Sequence, residues 1–168
     1  MEIRRIRADE GLRLRALRLH ALADTPMAFA STFAREEVYP ETIWHERAAV
    51  GAAGRNVVTI VAERDGGLVG MATGFLGDPK AQDESQPMMV GVFVDGTVRR
   101  QGVGVALVES VVAWLHARGS ARIHVWIMSE NEPAAALYRR CGFQPSGATR
   151  LSARTPALLE LEMVRNLD

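Results

Sequence analysis

The chain has 168 residues, a length that suits one domain, and 48% of them are apolar, enough to bury a core without disulfides or a structural metal. Its 20 Lys and Arg residues balance 20 Asp and Glu, with Lys80 the only lysine, so the basic excess of a nucleic-acid binder is missing. Cys141 is the single cysteine, which excludes an internal disulfide and fits a reducing cytoplasm; the four scattered histidines have no Cys or carboxylate at ligand spacing, so no metal is expected. Met1 to Arg7 lacks the apolar centre of a signal peptide, and no apolar run approaches a membrane span.

Met1 to Arg7 reads as a short strand. Asp9 offers an N-cap with Glu10 in the first turn, opening a leucine-rich helix that runs to Ala23 and breaks at Asp24-Thr25-Pro26. Phe29 to Val38 is acidic and irregular or helical; a short helix follows from about Glu41 to Ala49, and Gly51 to Asn56 is a loop. Val57 to Ala62 is a strand, Asp65-Gly66-Gly67 a hairpin turn and Leu68 to Leu76 the return strand. The polar run from Gly77 to Gln86 leads into a strand from Met88 to Val94, in which Gly91 suggests a β-bulge or a close backbone approach. Val103, Leu107, Val111, Trp114 and Leu115 mark one face of a helix closed by Arg118 and Gly119. Arg122 to Ile127 is a strand, Glu132 to Cys141 a helix, and the tail from Gln144 supplies two more strands. In the last of these Leu159, Leu161 and Met163 alternate with Glu160 and Glu162, which predicts one buried and one wet face. The order is that of an α+β domain spanning residues 1–168, with a mixed, mostly antiparallel central sheet of about seven strands flanked by about four helices.

The densest chemistry lies where Val92-Phe93-Val94 runs through Arg99-Arg100-Gln101-Gly102-Val103-Gly104 into the helix. Gly102 and Gly104 let phosphates approach the main chain, the first N–H groups of the helix are unpaired, and two arginines stand beside its positive end. A Walker loop would need Lys and Ser or Thr after its last glycine, where Val105 and Ala106 stand. A Rossmann turn would want a small residue in place of Leu107. Downstream lies a second block, Asn131 with Ala134, Leu137-Tyr138 and Gly142-Phe143. Together the two blocks resemble the GNAT superfamily of acyl-CoA-dependent N-acetyltransferases, and the order of elements resembles the GNAT fold along the whole chain.

That resemblance implies an acetyl-CoA-dependent N-acetyltransferase acting by direct transfer on a primary amine of a small molecule or peptide, with no nucleic-acid or membrane partner. A homodimer is compatible with it, and a non-catalytic acyl-CoA-binding or sensing module is the alternative. It also implies that Gln101, Gly102, Val103, Gly104 and Val105 bind the coenzyme pyrophosphate by backbone and Arg99 or Arg100 by side chain. Val92, Phe93 and Val94 would pair with the pantetheine arm, with an N–H near Val92 as oxyanion donor. Asn131 would reach the pantetheine arm, although its side chain could equally cap the next helix. Tyr138 would stand near the coenzyme sulfur as general acid.

Pro87 to Gly91 holds no acid, so a general base of the kind some family members carry on this strand is absent. Glu36, Glu37, His45, Asp83 and Glu84 stand as unranked alternatives beside a water chain, each with the competing reading of a solvated surface group. Glu36, Glu37, Asp83 and Glu84 also fall in the two segments that the resemblance places on the acceptor side, which predicts an acceptor that is cationic overall. Nothing in the sequence activates the Cys141 thiol, so Cys141 reads as a buried helix residue rather than a nucleophile.

Overall fold

Strand propensity and period-two burial build the sheet that organises the molecule. The computed structural model describes residues 1–77, 86–154 and 156–167. Among them β1 (Glu2–Arg5), β2 (Val57–Arg64), β3 (Gly67–Phe75), β4 (Met88–Val94), β5 (Arg122–Met128), β6 (Gln144–Leu151) and β7 (Leu159–Asn166) form one seven-stranded sheet in the order β1-β2-β3-β4-β5-β7-β6. Every neighbouring pair is antiparallel except β4 and β5. The helices are α1 (Gly11–Asp24), α2 (Phe33–Glu36), α3 (Glu41–Ala53), α4 (Val103–His116) and α5 (Glu132–Arg140). The expected mixed architecture is present, and the helix beyond the expected four is the single turn α2, which Thr32 caps by accepting from Arg35 N–H.

Alternation along the strands sorts side chains into two cores, one on each face. Val58, Ile60 and Ala62 of β2 pack with Leu107, Val111 and Leu115 of α4. Val61, Met71 and Phe93 face the other way, against Leu14, Leu17 and Leu22 of α1 and Trp44 of α3. The sheet is thus a partition between α1 with α3 and α4 with α5, and anything held within the sheet can be reached from both layers.

Three local expectations need correction. Asp9 does not cap α1. Glu10 occupies the N-cap, and its carboxylate, 4% exposed, accepts from Arg7 N–H and pairs with Arg4 and Arg13, so ion pairing with the sheet outcompetes local capping. The loop expected from Gly51 begins later, because α3 continues to Ala53 and closes at Gly54, whose φ of +59° is the left-handed end that glycine adopts without a Cβ penalty. On β7 the expected faces are inverted in part. Glu160 is buried and receives Arg150 Nε at 2.7 Å, whereas Leu159 is exposed. Arg150, directly opposite on β6, compensates the buried Glu160 charge, and Leu159 is the first residue of β7, at the end of the strand.

Candidate active site

The site begins as a defect in the sheet. β4 and β5 pair only at Met88↔His124, supported by His124 N–H donating to Pro87 O at 3.0 Å, and beyond that point they form no ladder. β3 pairs along the other edge of β4, and β7 pairs with all of β5 from Arg122↔Asn166 to Met128↔Glu160. Two inner strands therefore turn unpaired edges toward each other, which leaves main-chain donors and acceptors for an extended ligand.

Gly91 marks where β4 departs from regular geometry. The register steps from Met71↔Phe93 to Thr73↔Val90, so β4 carries one residue more than β3 over this interval. Gly91 has φ +64°, which makes this the expected bulge. Val92, Phe93 and Val94 follow it along the open side. Phe93 is buried against α1, while Val92 and Val94 are partly buried toward α4. The Val94 carbonyl is already engaged, because Arg99 Nε donates to it at 2.9 Å.

Beyond β4 the chain turns through Gly96–Val98 and enters α4. Arg100 has φ +60° and Gly102 φ +83°, two left-handed positions that curl the backbone ahead of the helix. Gly102 is the N-cap residue of α4, and no side chain caps this helix. The N–H groups of Val103, Gly104 and Val105 lie before the first intrahelical bond, Ala106 N–H to Gly102 O, and so remain as donors. A Cβ placed on Gly102 would meet nothing within 4 Å, so the concavity is open.

The two arginines are not equivalent. Arg99 pairs through Nη2 with Asp24 at the end of α1 and lies over the Phe93 ring, so it ties the turn to α1. Arg100 makes no ion pair or hydrogen bond among the described residues and is exposed, which leaves its guanidinium open to a ligand. Gln101 is exposed and donates weakly to Thr97 O at 3.3 Å.

The second block meets the first at Gly104, where a Cβ would come within 3.3 Å of both Leu137 methyl groups and 3.6 Å of Val94 Cγ2. The helix carrying Tyr138 thus stands beside the glycine turn and β4. Tyr138 is 5% exposed and packs edge-on against Phe143, with ring centroids 5.4 Å apart. Burial raises its phenol well above the ordinary value, and the neighbouring Cys141 adds to the effect, so the group stays protonated. Asn131 caps α5, its Oδ1 accepting from Ala134 N–H at 3.2 Å.

The base candidates separate. Glu36 is no solvated charge: it is 2% exposed, and Arg18 and Arg47 both reach its carboxylate. Burial pushes its pKa up, but the hydrogen bonds and charge of Arg18 with the charge of Arg47 outweigh that and hold it below the usual range. Such a group accepts a proton poorly, and its charge is already paired with two arginines. His45 lies against Gly11 where α1 crosses α3, away from the β4–β5 opening, while Glu37 is exposed. Asp83 and Glu84 lie outside the described residues. Burial and then Glu109 raise the Cys141 thiol, opposing any role as a nucleophile. Among the described residues no group of three His, Cys, Asp or Glu side chains could hold a metal ion, and no helix is long and apolar enough to cross a membrane.

Glu36→Ala should destabilise the protein by about 3 kcal/mol, the low end for a broken buried ion pair because Arg18 retains some exposure. Urea unfolding at pH 7 measures this. Because the folded pKa of Glu36 lies below its unfolded value, its contribution is present above the ordinary carboxylate range and is lost as pH falls through the folded value. Glu10, lowered from 4.5 to about 2 chiefly by Arg4, loses its contribution across that interval. The parent should therefore lose stability from pH 7 to pH 3, and Glu36→Ala should lose less.

A parallel pair that separates beside a basic, glycine-lined helix start forms a cleft suited to an extended ligand with an anionic end. Residues 18–143 match the Acetyltransferase (GNAT) family. The chain belongs to that family. An uncharacterised N-acetyltransferase of Methanocaldococcus jannaschii is 34% identical over 53 residues, a match covering 32% of this chain and 24% of that relative. Among solved structures, an acetyltransferase of the GNAT family from Streptococcus pneumoniae superposes with a TM-score of 0.82 at 16% identity, covering 99% of each chain. A ribosomal-protein-alanine N-acetyltransferase from Brucella melitensis gives 0.80 at 22% identity, covering 99% of this chain and 100% of its own. A putative acetyltransferase from Salmonella typhimurium, solved with its cofactor acetyl-CoA, gives 0.80 at 17% identity, covering 100% and 94%. At these identities the likeness establishes the fold.

Arg18 had no distinguishing sequence signal, since it is one of several arginines interleaved with leucines on α1. Its position becomes meaningful only in space, where its Nη1 lies 3.9 Å from a Cβ built on Gly91.

Proposed function

We propose that this protein transfers an acetyl group from acetyl-CoA directly to the primary amine of a small molecule or peptide. The observation that carries the reading is the opening between β4 and β5, which ends at an uncapped, glycine-lined helix start beside the exposed Arg100. Its residues fit an elongated ligand with a pyrophosphate at one end. The N–H groups of Val103, Gly104 and Val105, with the curled backbone of Gln101 and Gly102, would face the phosphates and Arg100 would add charge. Arg99 would act mainly by fixing the turn. The edge formed by Val92, Phe93 and Val94 would align the pantetheine arm, and Asn131 could contribute its free amide hydrogens while its oxygen caps α5.

The coenzyme supplies a thioester carbon that an amine can attack. The Val92 N–H, held by the bulge, would stabilise charge growing on the carbonyl oxygen. Tyr138 would hold its proton toward the sulfur as charge collects there. Locked in ion pairs, Glu36 is not the group that would take the amine proton.

Calorimetric titration with coenzyme A, followed by thiol release from acetyl-CoA over a panel of amines, tests the proposal. Binding with thiol release is the expected result. Binding with no release for any amine would favour an acyl-CoA-sensing module, and absence of binding would reject the site.

A further inference from the structure

On the proposed reading, the reacting carbon lies beside Val92, so whatever surrounds the neighbouring Gly91 helps decide which amine fits. α1 brings Arg18 to that position. Arg18 Nε donates to both carboxylate oxygens of Glu36 at 3.2 Å and Nη2 donates to Oε1 at 2.8 Å, while the guanidinium lies 4.7 Å from the Phe29 ring centroid. These interactions occupy one edge of the group and fix its plane. Nη1, the nitrogen nearest Gly91, makes no hydrogen bond among the described residues, and the side chain is 17% exposed.

The surrounding charge is unbalanced. Arg47 reaches Glu36 at 3.2 Å. From the segment between β6 and β7, Arg154 donates to Pro26 O at 2.8 Å and Phe29 O at 3.2 Å, neutral acceptors that leave its charge uncompensated. Arg18, Arg47 and Arg154 thus gather around Phe29 and Glu36, the one carboxylate they meet among the described residues. A cationic amine would be repelled here, whereas an amine carrying its own carboxylate would be held.

We propose that Arg18 Nη1 receives the carboxylate of the acceptor and that the acceptor is a free α-amino acid. The inference rests on the acetyl-transfer reading. Gly91 and Val92 are consecutive, with Cα atoms about 3.8 Å apart, which puts the carboxylate and the reacting nitrogen close together, as they are when one carbon bears both. In the transfer the amine nitrogen bonds to the acetyl carbon and the C–S bond breaks with its electron pair on sulfur. One amine proton is lost and one proton ends on sulfur, giving an N-acetyl amino acid and coenzyme A.

The test offers the twenty standard L-amino acids singly with acetyl-CoA and reads thiol release, then compares the best acceptor with its carboxamide and its decarboxylated amine. Both analogues should lose about tenfold or more in kcat/KM, the scale of one charge-assisted hydrogen bond. Arg18→Gln alone would strand Glu36, so Arg18→Gln/Glu36→Gln removes the pair together and Arg18→Lys keeps the charge. In the double variant the preference for the amino acid over its carboxamide should collapse through KM, and Arg18→Lys should retain part of it; coenzyme A titration verifies folding. Equal turnover of acid and carboxamide, or an unchanged preference in a folded double variant, would overturn the proposal. Simple amines reacting while no amino acid does would overturn it and leave acetyl transfer standing. Coenzyme binding without turnover of any amine would remove both.

Discussion

Gly104→Asp should bind coenzyme A about a hundredfold more weakly than the parent, or worse, while still unfolding cooperatively. The substitution puts a carboxylate on the first turn of α4, among the donors assigned to the pyrophosphate, and removing one charge-assisted hydrogen bond costs about 1.5 to 3 kcal/mol. The helix itself should tolerate the change, because a negative charge near its N-terminus is favourable. Packing is the competing cause, since the new Cβ would press on Leu137 at 3.3 Å. Gly104→Ala separates the two effects by adding the same carbon without the charge. Calorimetry should find Ala close to the parent and Asp far weaker. An Asp variant within a few-fold of the parent would reject the phosphate assignment, and equal losses in Ala and Asp would assign the effect to Leu137.

Tyr138→Phe should lower kcat by a factor on the order of 10² to 10⁴, the usual range for losing a general acid, with coenzyme affinity nearly unchanged. The ring contributes the packing against Phe143, and Phe retains it. Because burial holds the phenol protonated well above its ordinary pKa, the rate of the parent should show no Tyr138 titration across neutral and mildly basic pH. The deficit of the variant should accordingly be constant across that range. A full-speed Phe variant would exclude the role, and a parallel loss of affinity and rate would show that the hydroxyl positions the coenzyme. A thermal melt by circular dichroism confirms that the comparison is between folded proteins.

Much of the fold was legible because local chemistry and tertiary structure agree there. The Gly91 irregularity, the Gly102 turn and the apolar face of α4 depend on residues close in sequence, so their types carry the conformation. Boundaries failed where distant partners intervened. Arg4 lies in β1 and Glu63 in β2, and the network they form with Glu10 and Arg13 replaces the cap expected of Asp9.

The sequence by itself determined the strand–turn–helix with its unpaired N–H groups, the second block ending in Gly142-Phe143, and a strand before the turn that carries no acid. The family resemblance implied an open edge at Val92, Phe93 and Val94, but only the tertiary structure decided that β4 and β5 separate after Met88, since a gap belongs to two strands far apart in the chain. It also chose between the arginines of the turn, because Asp24 takes Arg99 and leaves Arg100. By folding α1, α2 and α3 together it turned Glu36 from an apparent surface acid into a buried partner of two arginines. A carboxylate's charge is written in the sequence, but its effect depends on the neighbours that burial supplies.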